Sequence, residues 1–508
     1  MRAGPESGST LHRRSATRTS WDFQLVFLLL ALLLVLAPLV RGGNREVALS
    51  VLLALALALL ALLLGQAMQQ RLAPGAAAMA RPPAWWWVAV GVLAASPAWL
   101  GLLQLVPLPL HWWSALAGRQ DYLEALRAGG VAAPARLPLS LNPWATWASV
   151  WSGVPLAAAF VAALRLPRAQ IDRLMALLLG VGALQVVLAV AQFAGGRQSP
   201  LYFGLPGQGF VGSFANRNHL ADLLAMLLPV WFYAWLRLRR GGDGEARGRL
   251  HGAARPLLLL LGFGLLVVLL STQSRGGILA SLVVLLLAGG LQLRYQGAGL
   301  RRWQRWALVA LFGVFVALAL ASIDLRGLAS RLEQGRLQSD AEVRHTMAAA
   351  TWQAAGALWP WGSGLGTFES VFPRYQPPAT PVYVNHAHND YAQMAMELGA
   401  PALLLVGLAL ALALRQLVLL ARALRAERRL SSELALRCLA GLGVLALLLH
   451  SWVEFNMHIP ALAIVASFLA GVYLRPLEAG EGRLEARTDA SRRRVREVGV
   501  QHGGGWIR

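Results

Sequence analysis

The densest group of chemically capable side chains runs Asn385-His386-Ala387-His388-Asn389-Asp390-Tyr391, with Gln393 and Glu397 close behind. A histidine beside amide and carboxylate partners suits general-base work near neutral pH. The His-x-His-x-Asp spacing can also hold zinc, but no further ligand cluster accompanies it; a structural histidine is the third reading. A second patch, Gly212-Ser213-Phe214-Ala215-Asn216-Arg217-Asn218-His219, either caps a helix or lines a polar cleft. Two Asn, an Arg and a His exceed what one cap needs.

A third patch, Ser271-Thr272-Gln273-Ser274-Arg275-Gly276-Gly277, puts a lone Arg between Ser274 and two glycines. It is either an interfacial anchor that snorkels or an anion site that backbone can approach. The fourth patch opens with Asp340, Glu342, Arg344 and His345 and continues to Pro360-Trp361-Gly362-Ser363-Gly364-Leu365-Gly366-Thr367-Phe368. Arg344 has an i,i+4 partner available in Asp340. As a phosphate cradle the glycines are a weak signal, since no P-loop lysine follows. The fifth patch, His450-Ser451-Trp452-Val453-Glu454-Phe455-Asn456-Met457-His458, reads as a support for the others or as a plain interfacial turn.

These groups must be positioned by membrane helices. The chain of 508 residues is 57% hydrophobic and 14% charged, whereas soluble proteins carry roughly a quarter charged residues. Apolar runs of bilayer-spanning length fall at about 22–40, 46–66, 85–105, 146–163, 172–194, 218–236, 256–271, 275–293, 306–322, 392–421, 434–453 and 459–474. They predict an all-α integral membrane protein of about 12 transmembrane helices. The fourth run holds Pro155, which a membrane helix tolerates.

The net charge of +22 comes entirely from Arg, with no Lys in the chain. With each Arg near a span end assigned to its adjoining connection, 32 fall on the tails and even-numbered connections and 13 on the odd-numbered ones, with Arg415 inside a span. By the positive-inside rule both termini are cytoplasmic, and the basic composition is a topology signal rather than a nucleic-acid footprint. The single Cys438 leaves no intramolecular disulfide and no cysteine cluster for a metal. The expected order is a cytoplasmic tail at 1–20, nine spans over 21–322 with an outward loop at about 106–145, a large outward loop at 323–391, three spans over 392–475 and an Arg-rich cytoplasmic tail at 476–508. The 106–145 loop contains an amphipathic stretch with Tyr122, Leu123 and Leu126 on one side. All five patches then sit on the outward face. Arg is the residue suited to bidentate phosphate recognition. An outward cleft with two Arg and one His therefore suggests a diphosphate-bearing, lipid-linked substrate, whose activated leaving group calls for charge stabilisation and a base. Such a reaction needs no metal or other cofactor, and no paired-acid motif is present to hold one.

The ordered set of Gly-Ser-Phe-Ala-Asn-Arg-Asn-His at 212–219, Ser-Arg-Gly at 274–276, Arg344 ahead of the glycine run at 360–366, His-Ala-His-Asn-Asp-Tyr at 386–391 and the turn from His450 to Pro460 resembles the O-antigen ligase and polymerase superfamily of bacterial envelope glycosyltransferases. The resemblance covers roughly residues 140 to 475. It implies a GT-C-like, metal-independent transferase in the bacterial inner membrane, working at the periplasmic face. The implied donor is an undecaprenyl-diphosphate-linked glycan, and the implied acceptor a growing glycan or lipid A-core. Carried over by position, Arg275 and Arg344 match diphosphate-binding arginines and His388 the general base. Asn389 and Asp390 would orient that histidine, while Asn216, Arg217, Asn218 and Ser274 would belong to the substrate cleft. The superfamily also includes protein O-oligosaccharyltransferases. A transporter and an inactive assembly scaffold are the competing classes; a transporter would place ionisable groups or broken helices near the bilayer midplane. Gly364 and Gly366 are expected to serve as flexible points if the large loop opens and closes over the cleft.

Overall fold

The computed structural model describes residues 7–72, 83–203, 209–240, 245–296, 340–378, 383–427 and 430–476, together with residues 302, 313 and 317. Helices dominate. In chain order they are α1 (Ser7–Leu39), α2 (Glu46–Leu72), α3 (Ala84–Ala94), α4 (Ser96–Gln104), α5 (Leu110–Ser114), α6 (Gln120–Ala128), α7 (Pro143–Arg165), α8 (Arg168–Ala194), α9 (Arg217–Arg240), α10 (Glu245–Ser271), α11 (Arg275–Gln296), α12 (Asp340–Ala357), α13 (Phe368–Val371), α14 (Asp390–Leu398), α15 (Ala400–Ala426), α16 (Ser432–His450) and α17 (Pro460–Tyr473). A two-stranded antiparallel ribbon, β1 (Pro107–Pro109) with β2 (Arg136–Pro138), is the only sheet among the described residues.

Eight of the described helices are long and apolar enough to cross a bilayer, and nine if α3 and α4 count together. The expected third span at 85–105 is bent by 61° between α3 and α4, with Pro97 in the first turn of α4. The expected tenth span at 392–421 is also divided. Helix α14 ends at Gly399, whose φ of +62° is a conformation that favours glycine, and the apolar helix proper starts at Ala400. Two shorter apolar helices, Phe23–Leu39 and Pro460–Tyr473, fall on the expected first and last spans. Apart from residues 313 and 317, the expected span at 306–322 lies outside the described residues, as does the Arg-rich tail beyond residue 476.

The core is a continuous apolar cluster contributed by α1, α2, α7, α8, α9, α10, α11, α16 and α17, with Leu420 from the end of α15. Helix α9 is its centre: Leu220, Leu223, Leu224, Met226 and Leu227 are fully buried, whereas long stretches of α10 and α15 face outward with exposed Leu side chains. That division follows a bilayer-embedded helix bundle, where apolar residues cover both the interior and the lipid face.

Polar groups collect at the two ends. At one end Arg168 bonds Asp172 at 2.9 Å and also meets Glu433 and Tyr233; Arg437 bonds Glu433 at 2.6 Å. The Arg475 guanidinium donates to the carbonyls of Ala163 and Leu166. This cluster ties the ends of α7 and α17 to the starts of α8 and α16.

At the other end the two long connections pack together. The ribbon, α5 and α6 form a small platform, with the amphipathic stretch on α6 and Leu123 buried beneath it. Buried Arg119 donates from Nη2 to the carbonyls of Leu139, at 2.7 Å, and Gly362, at 2.9 Å. The glycine turn itself is tied down at successive amides. Ser363 N–H donates to Met396 O, Gly364 N–H to Glu397 O, Leu365 N–H to Gln104 Oε1 and Gly366 N–H to Glu397 Oε2. A Cβ on Gly364, which has φ +118°, would come within 2.8 Å of Ser140 Cβ and 2.9 Å of Thr367 Cγ2. The glycines are therefore close-packing positions, and the expectation that Gly364 and Gly366 are loose hinge points is corrected accordingly.

Candidate active site

The site is organised by Glu454, in the turn between α16 and α17. Its carboxylate is fully buried and receives three side chains from three parts of the chain. His388 Nδ1 meets Oε1 at 2.7 Å, Arg344 Nη1 donates to Oε2 at 3.0 Å, and Asn218 Nδ2 donates to the same Oε2. The helices explain why these groups meet. Asn216 caps α9, its Oδ1 accepting from Asn218 N–H at 2.8 Å, which points Asn218 into the site. Arg344 lies in the second turn of α12, and His388 precedes α14 with φ +50°.

Burial alone would raise the Glu454 pKa, but the His388 hydrogen bond and the Arg344 charge outweigh it and hold the carboxyl down at about 2. An ionised carboxylate can only accept, so the proton on the shared hydrogen bond belongs to His388 Nδ1. In the neutral imidazole the opposite nitrogen, Nε2, then carries the lone pair, and the side chain is 24% exposed. That tautomer is the one a general base requires. The neighbouring His386 differs. Burial, then the charge of His458, pushes it down to about 3, so it is neutral at physiological pH. Its ring stacks on Phe455 at 4.4 Å, and Phe455 also touches His219 and His388 edge-on.

The depressed Glu454 pKa makes a pH prediction. Glu454 contributes stability that is fully present above the unfolded carboxylate pKa, about 4.3, and is lost as pH falls towards about 2. Thermal melting of the detergent-solubilised protein should therefore decline between about pH 5 and pH 2. In Glu454→Gln that part of the decline should be missing; an equal decline in both proteins would contradict the assignment.

The two residues after His388 do other work than expected from the resemblance. Asn389 caps α14, accepting from Tyr391 and Ala392 N–H at 3.0 Å. Asp390 bonds His458 Nδ1 at 2.6 Å and accepts from Met457 N–H at 2.9 Å. Burial lowers the His458 pKa, but Asp390 more than offsets it and the net shift is upward. Glu454, not Asn389 or Asp390, orients His388. Similarly, Arg344 pairs with Glu454 across the fold. Ser274 is 2% exposed and faces His450 rather than an open cleft. Arg275 and Arg217 are exposed at the same end of the bundle, and each has no ion pair or hydrogen bond among the described residues. Among the described residues no three His, Cys, Asp or Glu side chains are grouped as a metal ion would need.

Glu454 is the member of this cluster that the sequence motifs did not single out. Its signal in the sequence was an acid in the last turn between His450 and His458, in a chain where acids are scarce. A buried acid there required partners, and the candidates were the three outward patches.

Residues 257–407 match the family model described as O-antigen ligase. The matched segment holds Arg275, Arg344, the glycine turn and His388, whereas Asn218 and Glu454 lie outside it. No curated protein matches the chain.

Proposed function

We propose that this multi-pass membrane protein, a member of the O-antigen ligase and polymerase superfamily by its 257–407 segment, transfers a glycan from undecaprenyl diphosphate to an acceptor hydroxyl. The reaction belongs to the periplasmic face of the bacterial inner membrane and serves surface polysaccharide synthesis. The observation that carries this reading is the shared carboxylate: Glu454 holds a histidine base and an arginine side by side.

In this reading His388 Nε2 takes the proton of the acceptor hydroxyl as its oxygen attacks the anomeric carbon of the donor. The carbon–oxygen bond to the diphosphate breaks and its electron pair leaves with the phosphate. Arg344 uses one N–H on Glu454, and its remaining guanidinium donors, with those of Arg275, meet the charge developing on the leaving group. The leaving diphosphate is already activated, so these residues supply the base and the charge stabilisation without a metal. The donor is lipid-linked because the outward face has no nucleotide sugar. The acceptor is a glycan end in a polymerase or lipid A-core in a ligase.

Undecaprenyl-linked glycans from cells lacking the protein test this directly. Accumulation of full-length lipid-linked polymer identifies a ligase, and accumulation of single repeat units a polymerase; unchanged pools would overturn the reading. Arg275→Ala should reproduce the accumulation, with transfer reduced about 10²- to 10³-fold by loss of one transition-state charge contact. Wild-type glycan in well-expressed Arg275→Ala cells would remove Arg275 from the site.

A further inference from the structure

A second buried chain lies beside the site. Asp222 Oδ1 meets His450 Nδ1 at 3.3 Å, and His450 Nε2 meets Ser274 Oγ at 3.5 Å. The three residues come from α9, the end of α16 and the entry to α11, and are 0%, 2% and 2% exposed. With Asp222 accepting, Nδ1 carries the proton and Nε2 accepts from the serine hydroxyl. The order of groups is that of a Ser-His-Asp triad. Ser274 is buried, however, so its hydroxyl offers no open nucleophile. The exposed neighbour is Arg275, the first residue of α11.

We infer that Asp222, His450 and Ser274 form a hydrogen-bonded chain that positions Arg275 towards the donor's diphosphate; this rests on the assignment of Arg275 made above. Ser274 Oγ accepts from Gly277 N–H at 3.4 Å, and Ser274 N–H donates to Thr272 Oγ1 at 3.2 Å, so the serine fixes the entry of α11. Helix direction at that first turn sets where Arg275 begins. The packing is built around the histidine. A Cβ on Gly276 would come within 2.8 Å of His450 Nε2 and of Val453 Cγ2, and one on Gly277 within 2.7 Å of Ala221 Cβ. Two consecutive glycines thus let α11 approach the ring.

A plain packing role does not account for Asp222. Its carboxyl is fully buried within α9, and Oδ2 has no hydrogen-bond partner among the described residues. An acid inside a membrane helix is costly, and an apolar residue would fill the space without that cost. The site tolerates it because His450 needs an acceptor on Nδ1 to present Nε2 to Ser274.

The test is binding of undecaprenyl diphosphate to the full-length protein in detergent, with undecaprenol as the phosphate-free control. Arg275→Ala should weaken undecaprenyl diphosphate binding about 10- to 100-fold, the value of a charge-assisted contact, and leave undecaprenol binding alone. His450→Gln and Ser274→Ala should each weaken it several-fold, and Ser274→Thr, which keeps the hydroxyl, should bind like the parent. In the Arg275→Ala background, His450→Gln should add no further loss, because both act through one contact. Equal losses from His450→Gln in both backgrounds, a matching loss of undecaprenol binding, or a Ser274→Thr as weak as Ser274→Ala would overturn the inference and leave the assignment of Arg275 standing. Unchanged binding in Arg275→Ala would overturn both. Should His450→Gln fail to fold, the Ser274 pair in the two Arg275 backgrounds decides the question.

Discussion

Glu454→Gln is expected to lower glycan transfer about 10⁴-fold, as loss of the carboxylate behind a catalytic histidine does in hydrolytic triads. His388→Ala should fall to the same level. The two losses should not add, because removing either partner ends the same function. Glutamine keeps the size of Glu454 and can still accept from Arg344 and Asn218 on one oxygen. Its amide nitrogen cannot accept, however. If that nitrogen faces His388, the ring must turn its proton to Nε2, the atom that should receive the acceptor's proton. Transfer in proteoliposomes at matched protein amount, followed by the size shift of the glycan product, gives the number. A Glu454→Gln protein within a few-fold of wild type would remove the base from His388 and leave Glu454 as an anchor for α12.

The matched comparison is Asp390→Asn. Asp390 bonds His458 and the Met457 amide rather than His388, so its loss should act on folding of the turn more than on the chemical step. Adjacency in sequence made Asp390 the natural partner of His388, and adjacency misled for a geometric reason. His388 sits at φ +50° just ahead of the helix capped by Asn389. That left-handed residue separates the histidine's direction from that of the helix that follows. Spacing along the chain does not encode such a reversal. It also does not encode which of several outward turns meet, because that depends on how α9, α12, α14 and α16 converge.

Other features were legible because they follow from local rules. Runs of about twenty apolar residues mark spans whatever their neighbours, and eight described helices satisfy the length and composition required. The breaks inside the third and tenth expected spans were less visible. Apolar residues continue on both sides of Ala95 and Gly399, and backbone conformation and packing reveal the breaks. Asn216 satisfies the helix cap, and that cap aims Asn218 at Glu454.

Glu397→Ala should destabilise the protein by several kcal/mol, enough to deplete the folded form in a membrane extract. Glu397 is 1% exposed. It accepts from Gly366 N–H at 2.8 Å, Phe368 N–H at 3.2 Å and Gln393 Nε2 at 3.1 Å. Burial raises its pKa, and those three donors together with His458 oppose the rise. Truncation strands three buried donors at once, each costing about 1–3 kcal/mol, against a total stability of about 5–15 kcal/mol. The consequence reaches the chemistry, because α14 carries Glu397 at one end and follows directly from His388 at the other. Losing the glycine turn's anchor would free the helix that holds His388 in register with Glu454. Glu397→Gln keeps one acceptor oxygen but places an amide donor against a backbone donor, so it should fall between wild type and alanine. Melting temperatures in detergent, ranked wild type above glutamine above alanine, would carry this account, and an alanine variant as stable as wild type would show that the turn is held by Arg119 and Gln104 alone.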